Sequence, residues 1–143
     1  MIEIVEGDLL EANTDALVNT VNTFGTMGKG IALCFKEKYP NNFLLYKKAC
    51  LERKVNIGKM FITEEGGKII INFPTKKHWR MPSQYSYIEE GLISLVDTIK
   101  IHGIKSLSLP MLGCGNGGLD PAVVETMIIE YLTMEGIEIK LYK

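Results

Sequence analysis

The stretch Asn19-Thr-Val-Asn-Thr-Phe-Gly-Thr-Met-Gly-Lys-Gly-Ile-Ala-Leu-Cys34 decides how the rest of the chain is read. Val18 and Val21 belong to an apolar strand that begins at Ala16. Gly25, Gly28 and Gly30 then remove side chains where the backbone must turn. From Gly30 to Lys38 the apolar residues Ile31, Leu33, Cys34 and Phe35 predict a helix and its buried face. A buried strand, a glycine loop and a helix start present several free backbone N–H groups and the positive end of a dipole, which makes an anion site.

Two familiar phosphate motifs do not fit this stretch. A Walker loop needs a glycine, four residues, then Gly-Lys and a Ser or Thr. Here Gly25 stands three residues before Gly28, and Gly30 occupies the place of the magnesium-binding hydroxyl, so Lys29 does not mark a nucleoside triphosphatase. The dinucleotide fingerprint Gly-x-Gly-x-x-Gly occurs later, as Gly113-Cys-Gly115-Asn-Gly-Gly118. It follows a strand and precedes a helix, but only one helix and one strand remain to build a cofactor domain. Two phosphate-type loops on two strand ends suggest one ligand gripped from both sides, such as a pyrophosphate.

A chain of 143 residues fits one domain, here 1–143, with a real core. A net charge of −1 gives no global attraction to polyanions, so any such binding must be local. Three cysteines, Cys34, Cys50 and Cys114, show no Cys-x-x-Cys spacing and argue against zinc and a disulfide framework. Cys34 and Cys50 fall in helical patterns and read as small core residues. Glu3, Glu6 and Asp8 interrupt the N-terminus as a signal peptide. No apolar run approaches the roughly 20 residues of a membrane span. The cytosol is the expected location, with no membrane partner, no metal, no cofactor and a monomeric state.

In order, Met1–Glu6 reads as a strand and Gly7-Asp8-Leu9-Leu10 as its turn. Asp8 can be a turn residue or a carboxylate that accepts from a ligand amine, and spacing favours the turn. Asn19 and Asn22 end the next strand, each either a loop former or an amide for a sugar hydroxyl. Asn41 and Asn42 are expected to cap a second helix. Residues 58–64 and Lys68–Phe73 read as a hairpin around Gly66-Gly67. Pro74 to Ser83 then concentrates Lys76, Lys77, His78, Trp79 and Arg80 in a loop. That loop is either a solvated basic segment or an aromatic, basic lip for a base and phosphates, and its place after a strand favours the lip. Ser86-x-x-Glu89 reads as a capping box, though Ser83 could start that helix a turn earlier. Ile88, Leu92, Leu95, Val96 and Ile99 supply its buried face, Gly103 ends it, and His102 is a helix-end residue. Ser106–Pro110 is a strand, Asp120-Pro121 opens a last helix, and residues 137–142 form a last strand. The alternation predicts an α/β domain of three α/β/α layers.

Gly7-Asp8-Leu-Leu, Ala16-Leu-Val-Asn-Thr-Val-Asn22, Gly25-x-Met-Gly28-x-Gly30-Ile-Ala32 and Leu109-Pro-x-Leu-Gly-Cys-Gly115 together resemble the macrodomain family across essentially the whole chain. Met27-Gly-Lys-Gly-Ile-Ala32 with Asn72-Phe-Pro-Thr-Lys-x-His-Trp-Arg80 resembles its branch of DarG-type DNA ADP-ribosylation antitoxins, with the human terminal ADP-ribose glycohydrolase more distant. The resemblance implies a three-layer fold with a mixed sheet and ADP-ribose as ligand. It puts Asp8 at the adenine amino group, Leu9 beside the adenine and Asn22 at the distal ribose. Thr26, Met27, Gly28, Lys29, Gly30, Ile31 and Ala32 would grip one side of the pyrophosphate. Pro110, Leu112, Gly113, Cys114, Gly115, Asn116, Gly117 and Gly118 would close the other.

The resemblance further implies hydrolysis through a lysine, and Lys76 stands at the matching position. An amine can attack the anomeric carbon or its ring-opened aldehyde. A free lysine, with a pKa of about 10.4, is mostly protonated at neutral pH. Lys77, Arg80 and partial burial are expected to lower that value. Lys77, His78, Trp79 and Arg80 would meet the target. The human relative pairs its lysine with a loop aspartate, but the matching place here, around Asn116-Gly117, has no carboxylate. DarG-type macrodomains lack it too, which points to ADP-ribosylated single-stranded DNA, modified on thymidine, and to a cognate ADP-ribosyltransferase toxin. The alternatives are hydrolysis of ADP-ribosyl esters on protein Glu or Asp or of O-acetyl-ADP-ribose, and a reader that binds without turnover.

Overall fold

The computed structural model of the chain describes residues 1–143. Strands β1 (Ile2–Val5), β2 (Ala16–Asn22), β3 (Phe61–Glu65), β4 (Lys68–Lys76), β5 (Ser106–Pro110) and β6 (Glu138–Tyr142) form one sheet. Its order is β1-β6-β5-β2-β4-β3. Only the β3–β4 hairpin is antiparallel; every other neighbouring pair is parallel, so the sheet is mixed.

Helices α1 (Gly30–Lys38) and α2 (Pro40–Leu51) cover one face, and α3 (Tyr85–His102) and α4 (Pro121–Leu132) cover the other. The period of two in β2 sorts its side chains between these layers. Ala16 and Val18 join the large core with Leu92, Leu95 and Val124, while Leu17 packs with Phe35 and Val21 with Tyr46. Gly91 brings α3 onto the sheet, because a Cβ there would lie 2.3 Å from the Phe73 ring.

Several local expectations change. Asn41 and Asn42 do not cap α2, which starts at Pro40. Glu65 of β3 reaches across to accept from Asn42 N (2.7 Å) and Asn41 N (3.4 Å), so a carboxylate meets the positive helix end. Asn42 is instead buried, exchanging amide hydrogen bonds with Asn72 and accepting from Thr63 Oγ1 at 2.6 Å. The capping box at Ser86 does not form, because α3 begins at Tyr85 after Gln84. The Ser83 hydroxyl donates to the Thr75 carbonyl at 2.6 Å. Along α1, Ile31 and Phe35 share one face and pack inward, whereas Leu33 and Cys34 are rotated off it and exposed. Cys34 is therefore not a core residue, though Cys50 is. β4 runs to Lys76, past the Pro74 expected to open the loop. No helix is long and apolar enough to cross a membrane.

Candidate functional site

β2 lies between β4 and β5, and the chain leaves β4 through α3 to reach β5 on the opposite side. Such a reversal opens a crevice at the carboxyl ends of parallel strands. A cleft of about 730 Å³ occupies that place, walled by the segments that follow β2, β4 and β5.

The first wall is organised by Asn22. Its Oδ1 accepts from the backbone N–H of Phe24 (3.0 Å), Gly25 (2.9 Å) and Thr26 (3.4 Å). Its Nδ2 donates to the Thr26 carbonyl (3.1 Å) and hydroxyl (2.9 Å). Tyr46 donates to the Asn22 carbonyl at 2.7 Å and lies 2.9 Å from Oδ1, and burial pushes its phenol pKa up. Asn22 lines the cleft and, through these bonds, organises the loop that walls it. Met27 is buried against Val21 and Tyr46 and anchors the loop from inside. Thr26, Gly28, Lys29, Gly30, Ile31 and Ala32 line the cleft. No side chain caps α1, which leaves its first-turn N–H groups available. A Cβ at Gly28 would meet nothing within 4 Å, so the bare backbone faces open space.

Opposite stands the loop after β5. Gly113, Cys114, Gly115, Asn116 and Gly117 line the cleft, with a 3-10 turn at Gly115–Gly117 that also lacks a side-chain cap. Gly113 has φ +72°, and a Cβ there would lie 2.8 Å from Ser83 Oγ and 2.9 Å from Leu119 Cδ1. The Cys114 thiol donates to the Leu112 carbonyl at 3.6 Å, and burial raises its pKa. Leu112 itself is wholly buried in the core, while Met111, half-buried against the same core, lines the cleft.

Lys76 lies between these walls. The β2–β4 register shifts after Val21↔Pro74, so that Asn22 pairs with Lys76 and Thr75 is an extra residue. This bulge puts both Thr75 and Lys76 on the cleft. The Lys76 Cε is 3.8 Å from where a Gly117 Cβ would be, and its amine is 3.5 Å from the Trp79 carbonyl. Burial lowers the Lys76 pKa, and the charge of Lys29 lowers it further. The cationic neighbour is thus Lys29, from the first glycine loop, rather than the expected Lys77 and Arg80. No carboxylate lines the cleft, and no three His, Cys, Asp or Glu side chains are grouped to hold a metal.

Trp79 lines the cleft; Lys77, His78 and Arg80 do not, and the Lys77 amine lies 5.8 Å from the Tyr87 ring centroid. Asp8, Leu9, Pro110 and Gly118 also fall outside the lining. Asp8 caps a 3-10 turn at Leu9–Glu11, accepting from Leu10 N at 3.0 Å. The turn reading describes that bond. Its other carboxylate oxygen has no partner within the chain. Leu9 is buried in a cluster with Leu17 and Phe35. Gly118 closes the 3-10 turn. Sequence reasoning missed Thr20, Val21, Thr75 and Met111 as lining residues. Their only signal was position, at strand ends that converge on glycine loops.

The Macro domain family matches residues 18–128. A DNA ADP-ribosyl glycohydrolase of Mycobacterium tuberculosis is 55% identical over 133 residues, covering 90% of this chain and 38% of the relative. The human ADP-ribose glycohydrolase OARD1 is 28% identical over 142 residues, 99% of this chain and 90% of that protein. Among solved structures, the macrodomain of Mycobacterium tuberculosis DarG superposes with a TM-score of 0.97 at 50% identity, covering 99% of this chain and 97% of its own. Thermosipho africanus DarTG, solved in complex with ADP-ribose, superposes at 0.93 with 35% identity, covering 99% of this chain and 41% of that one. The chain spans about two fifths of the length of the bacterial DNA ADP-ribosyl glycohydrolases it matches.

Proposed function

The chain belongs to the macrodomain family, and on that premise we propose that it is an ADP-ribosyl glycohydrolase acting on ADP-ribosylated thymidine in single-stranded DNA. A bacterial relative 55% identical carries the name DNA ADP-ribosyl glycohydrolase. The pyrophosphate lies between the uncapped start of α1 and the 3-10 turn at Gly115–Gly117, where backbone N–H groups meet it from both sides. The free oxygen of Asp8 is the candidate acceptor for the adenine amino group. The substrate is the product of a DNA ADP-ribosyltransferase, the activity fused to the glycohydrolase in a Thermosipho africanus relative.

One observation carries the catalytic reading: Lys76 is turned onto the cleft by a bulge and held, partly desolvated, between the two glycine loops. In its neutral form the amine attacks the anomeric carbon of the distal ribose. The bond from that carbon to the target breaks, and its electron pair leaves with the target, which takes a proton from solvent. Water then displaces the lysine and frees ADP-ribose. With no carboxylate in the cleft, burial and Lys29 supply the neutral amine.

The test compares wild type with Lys76→Ala on a thymidine-modified single-stranded oligonucleotide. Release should fall at least about 100-fold, the usual scale for losing a proton-handling or attacking group, while ADP-ribose affinity persists. Undiminished release by the variant removes the lysine mechanism. Absence of release by wild type, with ADP-ribose still bound, leaves a reader or an enzyme for ester-linked ADP-ribose.

A further inference from the structure

Phe24 has no part in the chemistry above, yet the residue is 56% exposed, in the loop between the cleft-lining Asn22 and Thr26. Its centroid is 4.5 Å from that of His78, at 60° between planes. His78 in turn stacks on Trp79 at 5.3 Å and 28°. The Arg80 guanidinium lies 4.5 Å from the Trp79 centroid. Four planar groups therefore adjoin one another, starting at Trp79 on the cleft wall and passing through His78 to Phe24, outside it. The two loops that carry them are tied together. Thr23 donates through N to the Lys76 carbonyl (3.0 Å) and through Oγ1 to the Lys77 carbonyl (2.9 Å). Arg80 N donates to His78 Nδ1 at 3.1 Å, which fixes the imidazole.

The charge around this row is one-sided. Lys29, Lys76, Lys77 and Arg80 take part in none of the chain's ion pairs, which join Lys38 to Glu11, Lys54 to Glu52 and Lys143 to Glu125. In a protein of net charge −1, Lys29 and Lys76 on the cleft, Arg80 over the Trp79 ring and Lys77, 5.8 Å from the Tyr87 centroid, thus have no carboxylate partner. Exposed rings beside unpaired cations suit a polyanion with accessible base faces, which is a single strand. Beyond the ADP-ribose that both targets share, a modified protein side chain offers neither flanking bases nor a phosphate track.

We propose that the Phe24–His78–Trp79–Arg80 row is a stacking platform for nucleotides flanking the modified one in a single-stranded polynucleotide. This deepens the glycohydrolase reading and rests on it. The tilt between Phe24 and His78 makes the row a corner, so successive flanking bases are splayed rather than continuously stacked. Substrate length therefore matters: the enzyme should prefer a modified oligonucleotide to a modified nucleoside.

The experiment measures kcat/KM on ADP-ribosylated thymidine as a free nucleoside and within a hexanucleotide, for wild type, Phe24→Ala and Phe24→Tyr. Wild type should favour the hexanucleotide by roughly 5- to 150-fold, the effect of one stacked base. Phe24→Ala should lose most of that preference with nucleoside turnover unchanged, and Phe24→Tyr should keep it. Equal rates on both substrates overturn the proposal, as does a Phe24→Ala loss that falls equally on both. If no substrate turns over, the glycohydrolase reading fails and the platform is decided separately. Trp79, the only tryptophan, reports stacking through its fluorescence. An unmodified hexanucleotide should quench it in wild type and at least fivefold more weakly, by apparent Kd, in Phe24→Ala. No quenching, or equal quenching, overturns the platform.

Discussion

Across the cleft, the loop after β2 is held by one side chain, and the loop after β5 by the lack of side chains. Asn22 accepts three backbone N–H groups and donates twice to Thr26, with Tyr46 packed behind it. Gly113 and Gly117 instead let backbone pass close to Ser83, where an added Cβ would lie 2.8 Å from its Oγ and 3.2 Å from its Cβ respectively. Both devices expose N–H groups to the same space, but they should fail in opposite ways. The first breaks when atoms are removed, the second when atoms are added.

The largest effect on folding is expected from Gly113→Ala. The new methyl would meet Ser83 Oγ at 2.8 Å and Leu119 at 2.9 Å, on a backbone with φ +72°. Overpacking and left-handed strain together should cost about 3 kcal/mol, measured by urea unfolding. ADP-ribose affinity should fall with it, since Ser83 holds the end of β4 through Thr75. An unchanged midpoint would mean that Ser83 and Leu119 yield, and that close approach does not build this loop.

Asn22→Ala probes the other wall and should cost less, about 2 kcal/mol, because one buried N–H, that of Gly25, loses its partner while Phe24 N can turn to water. The loop after β5 should be unaffected, so hydrogen exchange should speed up at residues 24–26 and not at 113–118. Faster exchange in both loops would show that they form one cooperative unit, and the contrast between them would be lost.

What the sequence made legible follows the same division. Features written in backbone chemistry were readable: Gly30–Lys38 and Ser106–Pro110 fall where glycine, proline and apolar runs placed them, and Asp120 caps α4 before Pro121. Features that depend on a distant partner were not. Asn42 looks like a cap locally, but the amide of Asn72 and the carboxylate of Glu65 exist for it only once the sheet is assembled. Lys76 was identified by resemblance, yet the bulge that aims it arises from pairing with β2. The resemblance put Asn22 at the distal ribose; Asn22 lines the cleft, and the loop-forming bonds it also makes could not be read locally. Phe24 had one available signal, an exposed-type position for a large ring between a strand end and Gly25.

The smallest effect is expected where the two walls meet. Lys29 belongs to the first loop, and its charge acts on Lys76, whose stem packs toward the second. Lys29→Met removes that charge and leaves the burial of Lys76, the larger cause of its lowered pKa, in place. The sign follows directly: less repulsion favours the protonated amine, so the Lys76 pKa rises. If the neutral amine is the attacking form, kcat increases with pH through that value, and its rising limb should move to higher pH in the variant. The plateau at high pH should be retained, because the attacking group itself is intact. A lowered plateau with an unmoved limb would make Lys29 a phosphate ligand only and would leave burial alone to tune Lys76. A moved limb would show that a charge in one loop sets the protonation of the group held against the other.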